Sequence, residues 1–152
     1  MQELKRILLV EDNLHDVELT LAALEENHLA NEVVVVRDGQ QALDYLYRRG
    51  IFKLRLEGHP VVVLLDLKLP KVDGLEVLAK LKSDPQLKRV PVVMLTSSRE
   101  EQDLIKSYDL GVNAYVVKPV DFHEFVDVIK QLGLFWAVVN QPPPGSMPPV
   151  RQ

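Results

Sequence analysis

The sequence predicts an α/β fold, a doubly wound parallel sheet of five strands with five helices on its two faces. Three observations carry this. Five short apolar runs recur, at Ile7–Val10, Val33–Val36, Val61–Leu65, Val92–Leu95 and Ala114–Val117. Each is a near-continuous apolar block, the pattern of a strand covered on both faces. A stretch with helical spacing follows each run, and regular strand–helix alternation is what builds a doubly wound sheet.

Each element has its own justification. Val17, Leu21, Leu24 and Leu29 mark a first helix, and Ala42, Leu43, Leu46 and Tyr47 a second. The second strand suits an edge position. A longer loop, Gly50–Pro60, precedes the third strand, and Ile51, Phe52, Leu54 and Leu56 are expected to tack it to the surface. Leu75, Leu78 and Leu81 mark a third helix between Asp73-Gly74 and Ser83-Asp84-Pro85. Ser98 and Glu101 form a capping-box pattern before a fourth helix, which Gly111 closes. Asp121 and Glu124 make a similar pattern before a fifth.

The chain has 152 residues and a formal charge of −4, with 47% apolar and 26% charged residues. One domain is expected over residues 1–139, including an extended fifth helix. Residues 140–152 form a proline-rich tail expected to be extended or flexible, because five of the ten prolines fall in the last eleven residues. The absence of cysteine excludes disulfide scaffolds, thiolate metal sites and cysteine nucleophiles, and suits a cytoplasmic location. A net negative chain argues against nucleic-acid or membrane partners. No apolar run approaches the ~18 residues of a membrane span, and Ile7–Val10 is too short for a signal peptide.

In an open parallel sheet, ligands bind beyond the carboxyl ends of the strands. Those ends carry Glu11, Asp12 and Asn13 after the first strand, Asp66 after the third, Thr96, Ser97 and Ser98 after the fourth, and Lys118-Pro119 after the fifth. Each has an ordinary reading: Asp12 or Asn13 as a helix cap, Asp66, Thr96 and Ser97 as turn residues, Lys118 as a surface lysine. Their coincidence at four strand ends favours a common site. Three crowded carboxylates need a cation or raised pKa values, and Mg²⁺ is the obvious hard ion. One carboxylate can then act as a nucleophile toward a phosphoryl group, with the Lys118 ammonium and Thr96 hydroxyl stabilising its oxygens. Asp66 is the best candidate, because it ends the most apolar strand. The four histidines share no metal-ligand spacing.

The stretches Leu8-Leu9-Val10-Glu11-Asp12-Asn13, Leu64-Leu65-Asp66-Leu67-Lys68-Leu69-Pro70, Asp73-Gly74, Leu95-Thr96-Ser97 and Val117-Lys118-Pro119 resemble the response-regulator receiver domain of two-component signalling. The match runs from about Lys5 to Leu132. The single-domain receivers associated with bacterial phytochromes are the nearest subgroup, on Leu-Asp-Leu-Lys-Leu-Pro-Lys, the long loop before the third strand and Gly133-Leu134-Phe135-Trp136.

The resemblance implies a flavodoxin-like strand order 2-1-3-4-5 and a phosphoacceptor switch rather than an enzyme. Asp66 would accept a phosphoryl group from a sensor histidine kinase, and the narrower resemblance implies one of phytochrome type. Asp12 and Asp66 would hold Mg²⁺, Glu11 would support it through water, and Lys68 would give its backbone carbonyl. Lys118 would pair with the phosphoryl group, following a cis bond to Pro119, while Thr96 and Tyr115 would form the switch. A phosphorylation-independent adaptor with this fold is the alternative, which loss of the acids, Thr or Lys would favour. A phosphatase of the haloacid-dehalogenase type carries a second acid two residues after its nucleophile, where Lys68 stands. No dinucleotide or P-loop fingerprint occurs.

The fifth helix carries more apolar surface than one face needs. Phe122, Phe125, Val126, Ile129, Leu132 and Trp136 form one stripe; Val128, Phe135, Val138 and Val139 remain outside it. Gly133 is expected to end or bend the helix. A homodimer with Val128, Phe135, Trp136 and Val139 at its interface is expected, in line with the resemblance.

Overall fold

The computed structural model describes residues 6–30 and 33–146. Five strands, β1 (Ile7–Val10), β2 (Val33–Val36), β3 (Val62–Leu65), β4 (Val92–Thr96) and β5 (Ala114–Val117), form one sheet in the order β2-β1-β3-β4-β5, parallel throughout. The helices between them are α1 (Leu14–Glu25), α2 (Gly39–Tyr47), α3 (Gly74–Ser83), α4 (Glu101–Asp109) and α5 (Phe122–Leu134). A π-helical turn, Phe135–Val139, continues α5. The predicted architecture is therefore the observed one, with β2 at an edge.

Both faces of the sheet are covered, which is why its strands read as unbroken apolar blocks. Leu8, Val10, Val63 and Leu65 pack with Leu43, Leu46, Val77, Leu78 and Leu81 of α2 and α3. On the other face Ile7, Leu9, Leu64 and Leu95 pack with Leu24, Phe125 and Ile129 of α1 and α5. The helix α4 is held differently, with Ser107 its one buried residue.

Helix starts follow the capping rule. Asn13, Asp38, Asp73 and Asp121 each accept a hydrogen bond from a backbone N–H three residues on, in α1, α2, α3 and α5. The exception is α4, where the expected Ser98–Glu101 box does not form. Ser98 Oγ donates to Asp103 Oδ2 at 2.6 Å and accepts from Glu100 N at 3.3 Å, so the serine ties down the approach to α4 from outside the cap.

Other local expectations are corrected. In the loop before β3 only Phe52 tacks down, edge-on to Tyr45 at 5.2 Å. Arg55 takes the inner position: its guanidinium lies 4.2 Å over the Tyr45 ring and donates to the carbonyls of Tyr45, Leu56 and Gly58. Ile51 and Leu54 consequently stand 84% and 89% exposed. The start of the proline-rich stretch is not free, because His59 N donates to Gly145 O at 3.1 Å and Ser146 pairs with His59. Residues 147–152 lie outside the described residues.

The α-helix runs one residue past Gly133 and continues into the π-helical turn, so the glycine does not stop the helical path. Gly133 is buried inside the helix where α5 meets α1, and an added Cβ would stand 2.3 Å from Leu24 Cδ2 and 3.2 Å from Leu29 Cδ1. Leu24 is fully buried and has little room to retreat. Gly133→Leu is expected to destabilise the protein by about 1–3 kcal/mol, as overpacking of a filled core does, read as a lower urea midpoint with an unchanged slope.

Candidate functional site

The site lies at the carboxyl edge of the sheet, and backbone pairing just past the strands builds it. Glu11 N donates to Val36 O and Asp66 N to Val10 O, each at 3.1 Å, so the first residue after β1 and the first after β3 stay in register. On the other side Lys118 N donates to Thr96 O at 2.7 Å, which sets Lys118 beside the end of β4. Side chains far apart in sequence thereby meet.

The segment from Asp66 to Asp73 needs close approach by backbone. A Cβ on Gly74 would stand 2.2 Å from Asp66 O and 2.8 Å from Leu67 Cα, and one on Gly39 would stand 1.7 Å from Val72 O. Asp73 caps α3 immediately before Gly74. The Asp73-Gly74 pair therefore lets the loop bearing Asp66 fold back onto the start of α3.

At the centre is the Lys118 ammonium. It donates to Glu11 Oε1 at 2.5 Å, Asp16 Oδ2 at 2.9 Å and Asp66 Oδ2 at 3.2 Å. Lys118 is 8% exposed and Glu11 2%, while the Asp66 side chain is 12% exposed. Asp66 Oδ1 accepts from Leu67 N at 2.7 Å, and Glu11 Oε2 from Asn13 N at 3.2 Å. Burial pushes the Glu11 carboxyl up to about 7, against the opposing Lys118 hydrogen bond. For Lys118, burial would lower the pKa, but hydrogen bonds to Glu11 and Asp16 and the nearby Asp66 charge outweigh it and raise the value.

Asp12 is exposed, and carboxylate oxygens of Glu11, Asp12 and Asp66 lie within 4.8 Å of one another. With Asp16 the site holds four carboxylates and one ammonium, which bonds three of them. That surplus of negative charge, presented on hard oxygen donors, fits a divalent cation such as Mg²⁺ or Mn²⁺. An open hollow of about 480 Å³ adjoins the cluster, lined by Asp12, Lys68, Pro70, Asp73 and Asp103 among others.

Thr96 is buried, and its Oγ1 accepts from Ser98 N at 3.2 Å. Tyr115 is half-buried and donates through its hydroxyl to Ser98 O at 3.2 Å. Both switch candidates therefore engage the same residue of the β4–α4 loop. The expected cis bond between Lys118 and Pro119 is absent: the described residues contain no cis peptide. Lys118 reaches all three carboxylates from a trans bond.

The structure brings together Glu11, Asp12, Asp66 and Lys118, with Thr96 alongside through the backbone bond to Lys118. Lys68 borders the hollow with its side chain exposed. Asp16 was missed. It lies in the first turn of α1, just past the Asn13 cap, and no helical spacing ties it to Asp12, which precedes the helix.

A buried lysine held by acids from separate strand ends, on a sheet ordered 2-1-3-4-5, is the arrangement of a receiver. The chain belongs to the response regulator receiver domain family, whose model matches residues 7–130. The response regulator Rcp1 of Synechocystis is 41% identical over 87% of this chain and 88% of its own length. The phosphorylated cyanobacterial phytochrome response regulator RcpA superposes with a TM-score of 0.86 at 44% identity, covering 92% of this chain and 99% of that one. The bacteriophytochrome response regulator RtBRR is 68% identical with a TM-score of 0.73, covering 95% of this chain and 87% of that one. A structure of Rcp1 holds Mn²⁺, with a TM-score of 0.85 at 40% identity over 91% of this chain and 99% of that one.

The buried carboxylates depend on the ammonium they share. Lys118→Ala is expected to cost roughly 1–3 kcal/mol, because charged partners lose a buried hydrogen bond. Added MgCl2 should recover part of the loss, which urea unfolding with and without the salt will measure.

Proposed function

We propose that this chain is a stand-alone response regulator in which Asp66 accepts a phosphoryl group from the phosphohistidine of a sensor kinase. The observation that carries the reading is the Lys118 ammonium bound to Asp66 and Glu11, with Asp12 beside them. The names of RcpA and RtBRR associate those relatives with phytochromes, which supports a phytochrome-type kinase as the partner here. Among the described residues, no helix is long and apolar enough to cross a membrane. We place the encounter with the kinase in the cytoplasm.

In the transfer, an Asp66 carboxylate oxygen forms a bond to phosphorus as the bond from phosphorus to the kinase imidazole breaks, and the imidazole nitrogen keeps the electron pair. Glu11, Asp12 and Asp66, with the Lys68 backbone carbonyl, would hold Mg²⁺, which when bound supplies positive charge against the phosphoryl oxygens. Lys118 supplies further positive charge at Asp66. Thr96 contributes its hydroxyl. The hollow beside Asp12 gives the donor its approach.

Phosphorylation adds up to about two negative charges and strong acceptor oxygens. Thr96 turning its hydroxyl toward them gives up the bond from Ser98 N, and Tyr115 can then exchange its bond to Ser98 O for an inward position. Both bonds act on the loop before α4, the helix with a single buried residue. Loosely held elements are the ones a local change can shift. The output is accordingly a changed surface around α4 and α5, used for partner binding or onward phosphoryl transfer.

The end of α5 and the π-helical turn carry an apolar face. Leu134, Phe135, Val138 and Val139 are exposed and Val128 is half-buried, whereas Trp136 turns inward against the core. We assign this face to a homodimer, with Phe135 and Val139 as its main contacts.

Two measurements test these readings. Incubation with acetyl phosphate should add one phosphoryl mass in the presence of Mg²⁺, none after chelation and none in Asp66→Asn; unchanged mass throughout would remove the phosphoacceptor reading. Light scattering should give twice the chain mass for the wild type and a single chain for Phe135→Glu combined with Val139→Glu, whereas equal masses for the two proteins would refute the dimer.

A further inference from the structure

The Lys118 ammonium has three N–H donors, and each is already committed to a carboxylate: Glu11, Asp16 and Asp66. No donor is left for a new oxygen. An ammonium that is to serve a phosphoryl group on Asp66 must first surrender one of these partners.

The three partners differ in what their release would cost. Glu11 is the most buried and would be left without its cation away from water. Asp66 is the group that is modified. Asp16 is the most open of the three, with 22% of its side chain exposed, and it sits on α1 rather than at a strand end. Water can replace the ammonium there at the lowest desolvation cost.

We propose that Asp16 is a positioning residue that holds the Lys118 ammonium in reserve and competes with the phosphoryl group for it. The inference rests on the phosphoacceptor reading and adds a residue to it. Two consequences oppose one another in sign. Before phosphorylation, the bond to Asp16 takes up one of the three donors of Lys118, which lessens the competition between the ammonium and a cation for Glu11 and Asp66. After phosphorylation the same attraction pulls Lys118 from the phosphoryl oxygens and shortens the life of the acyl phosphate.

Asp16→Asn keeps the size of the side chain and removes its charge. The variant should bind Mg²⁺ more weakly by calorimetric titration and lose its phosphoryl mass more slowly after desalting, each by roughly two- to fivefold, the range for a partly exposed ion pair. Glu18→Gln, an equal charge change on an exposed residue of α1, should leave both measurements at the wild-type value. In a Lys118→Ala background, Asp16→Asn should produce no further change in either, since the effect runs through the ammonium. Wild-type values in Asp16→Asn, or the same change with and without Lys118, would overturn the proposal. Should the wild-type protein gain no phosphoryl mass at all, the phosphoacceptor reading fails, and the Mg²⁺ titrations of the four variants still decide whether Asp16 acts through Lys118.

Discussion

The site depends on one buried ammonium shared by carboxylates that the chain supplies from distant places. Glu11, Asp16, Asp66 and Lys118 span more than a hundred residues of sequence. Burying such charges is unfavourable unless they are paired and hydrogen-bonded. The fold meets this cost by extending its strand pairing one rung beyond β1, β3 and β5, so that the charged side chains project from fixed backbone. The sheet is thus a frame that sets ion-pair distances. An error in strand register would turn these side chains toward the opposite face.

The residues around the ion pair divide between rigid and yielding parts. The loop bearing Asp66 is pinned by close backbone approach at Gly39 and Gly74 and by the Asp73 cap. Across the site, the loop between β4 and α4 is held by exchangeable hydrogen bonds: Ser98 N to Thr96, Tyr115 to Ser98 O, and Ser98 Oγ to Asp103. These bonds are made by side chains and loop backbone rather than by the paired strands of the sheet. A chemical event at Asp66 can therefore be felt toward α4 without unfolding the sheet beneath it.

Much of this was legible in the sequence because burial on both faces leaves a simple mark. Ile7–Val10, Val61–Leu65 and Val92–Leu95 are apolar blocks that each stop at a polar residue, so the strand ends, and the acids and threonine on them, could be located directly. Asp16 was not legible in the same way, since its role depends on the pitch of α1 and on a lysine 102 residues later. Gly133 was misread because a glycine that ends a helix and a glycine that lets two helices touch look alike in sequence. Only the position of Leu24 on the facing helix separates them. The loop before β3 failed for a different reason: Arg55 stacks on Tyr45 and takes the inner position that Leu54 and Leu56 were expected to occupy.

That last case bears on how exposed apolar groups are read across the molecule. Ile51 and Leu54 project from a loop fixed beneath by a guanidinium, on the edge of the sheet beside β2 and α2. Leu134, Phe135, Val138 and Val139 form an exposed apolar cluster on the end of α5 and its π-helical continuation. The π-helical turn maintains that second cluster by directing Ala137 and Trp136 inward while its other apolar residues face out. A contiguous apolar face on a structured helix is costly to leave in water, and association is the ordinary way to cover it. The close packing of α1 on Gly133 links this face to the helix that carries Asp16. Asp16 in the first turn of α1 and Leu24 near its end thus place the buried charge and the exposed apolar face at opposite ends of one helix.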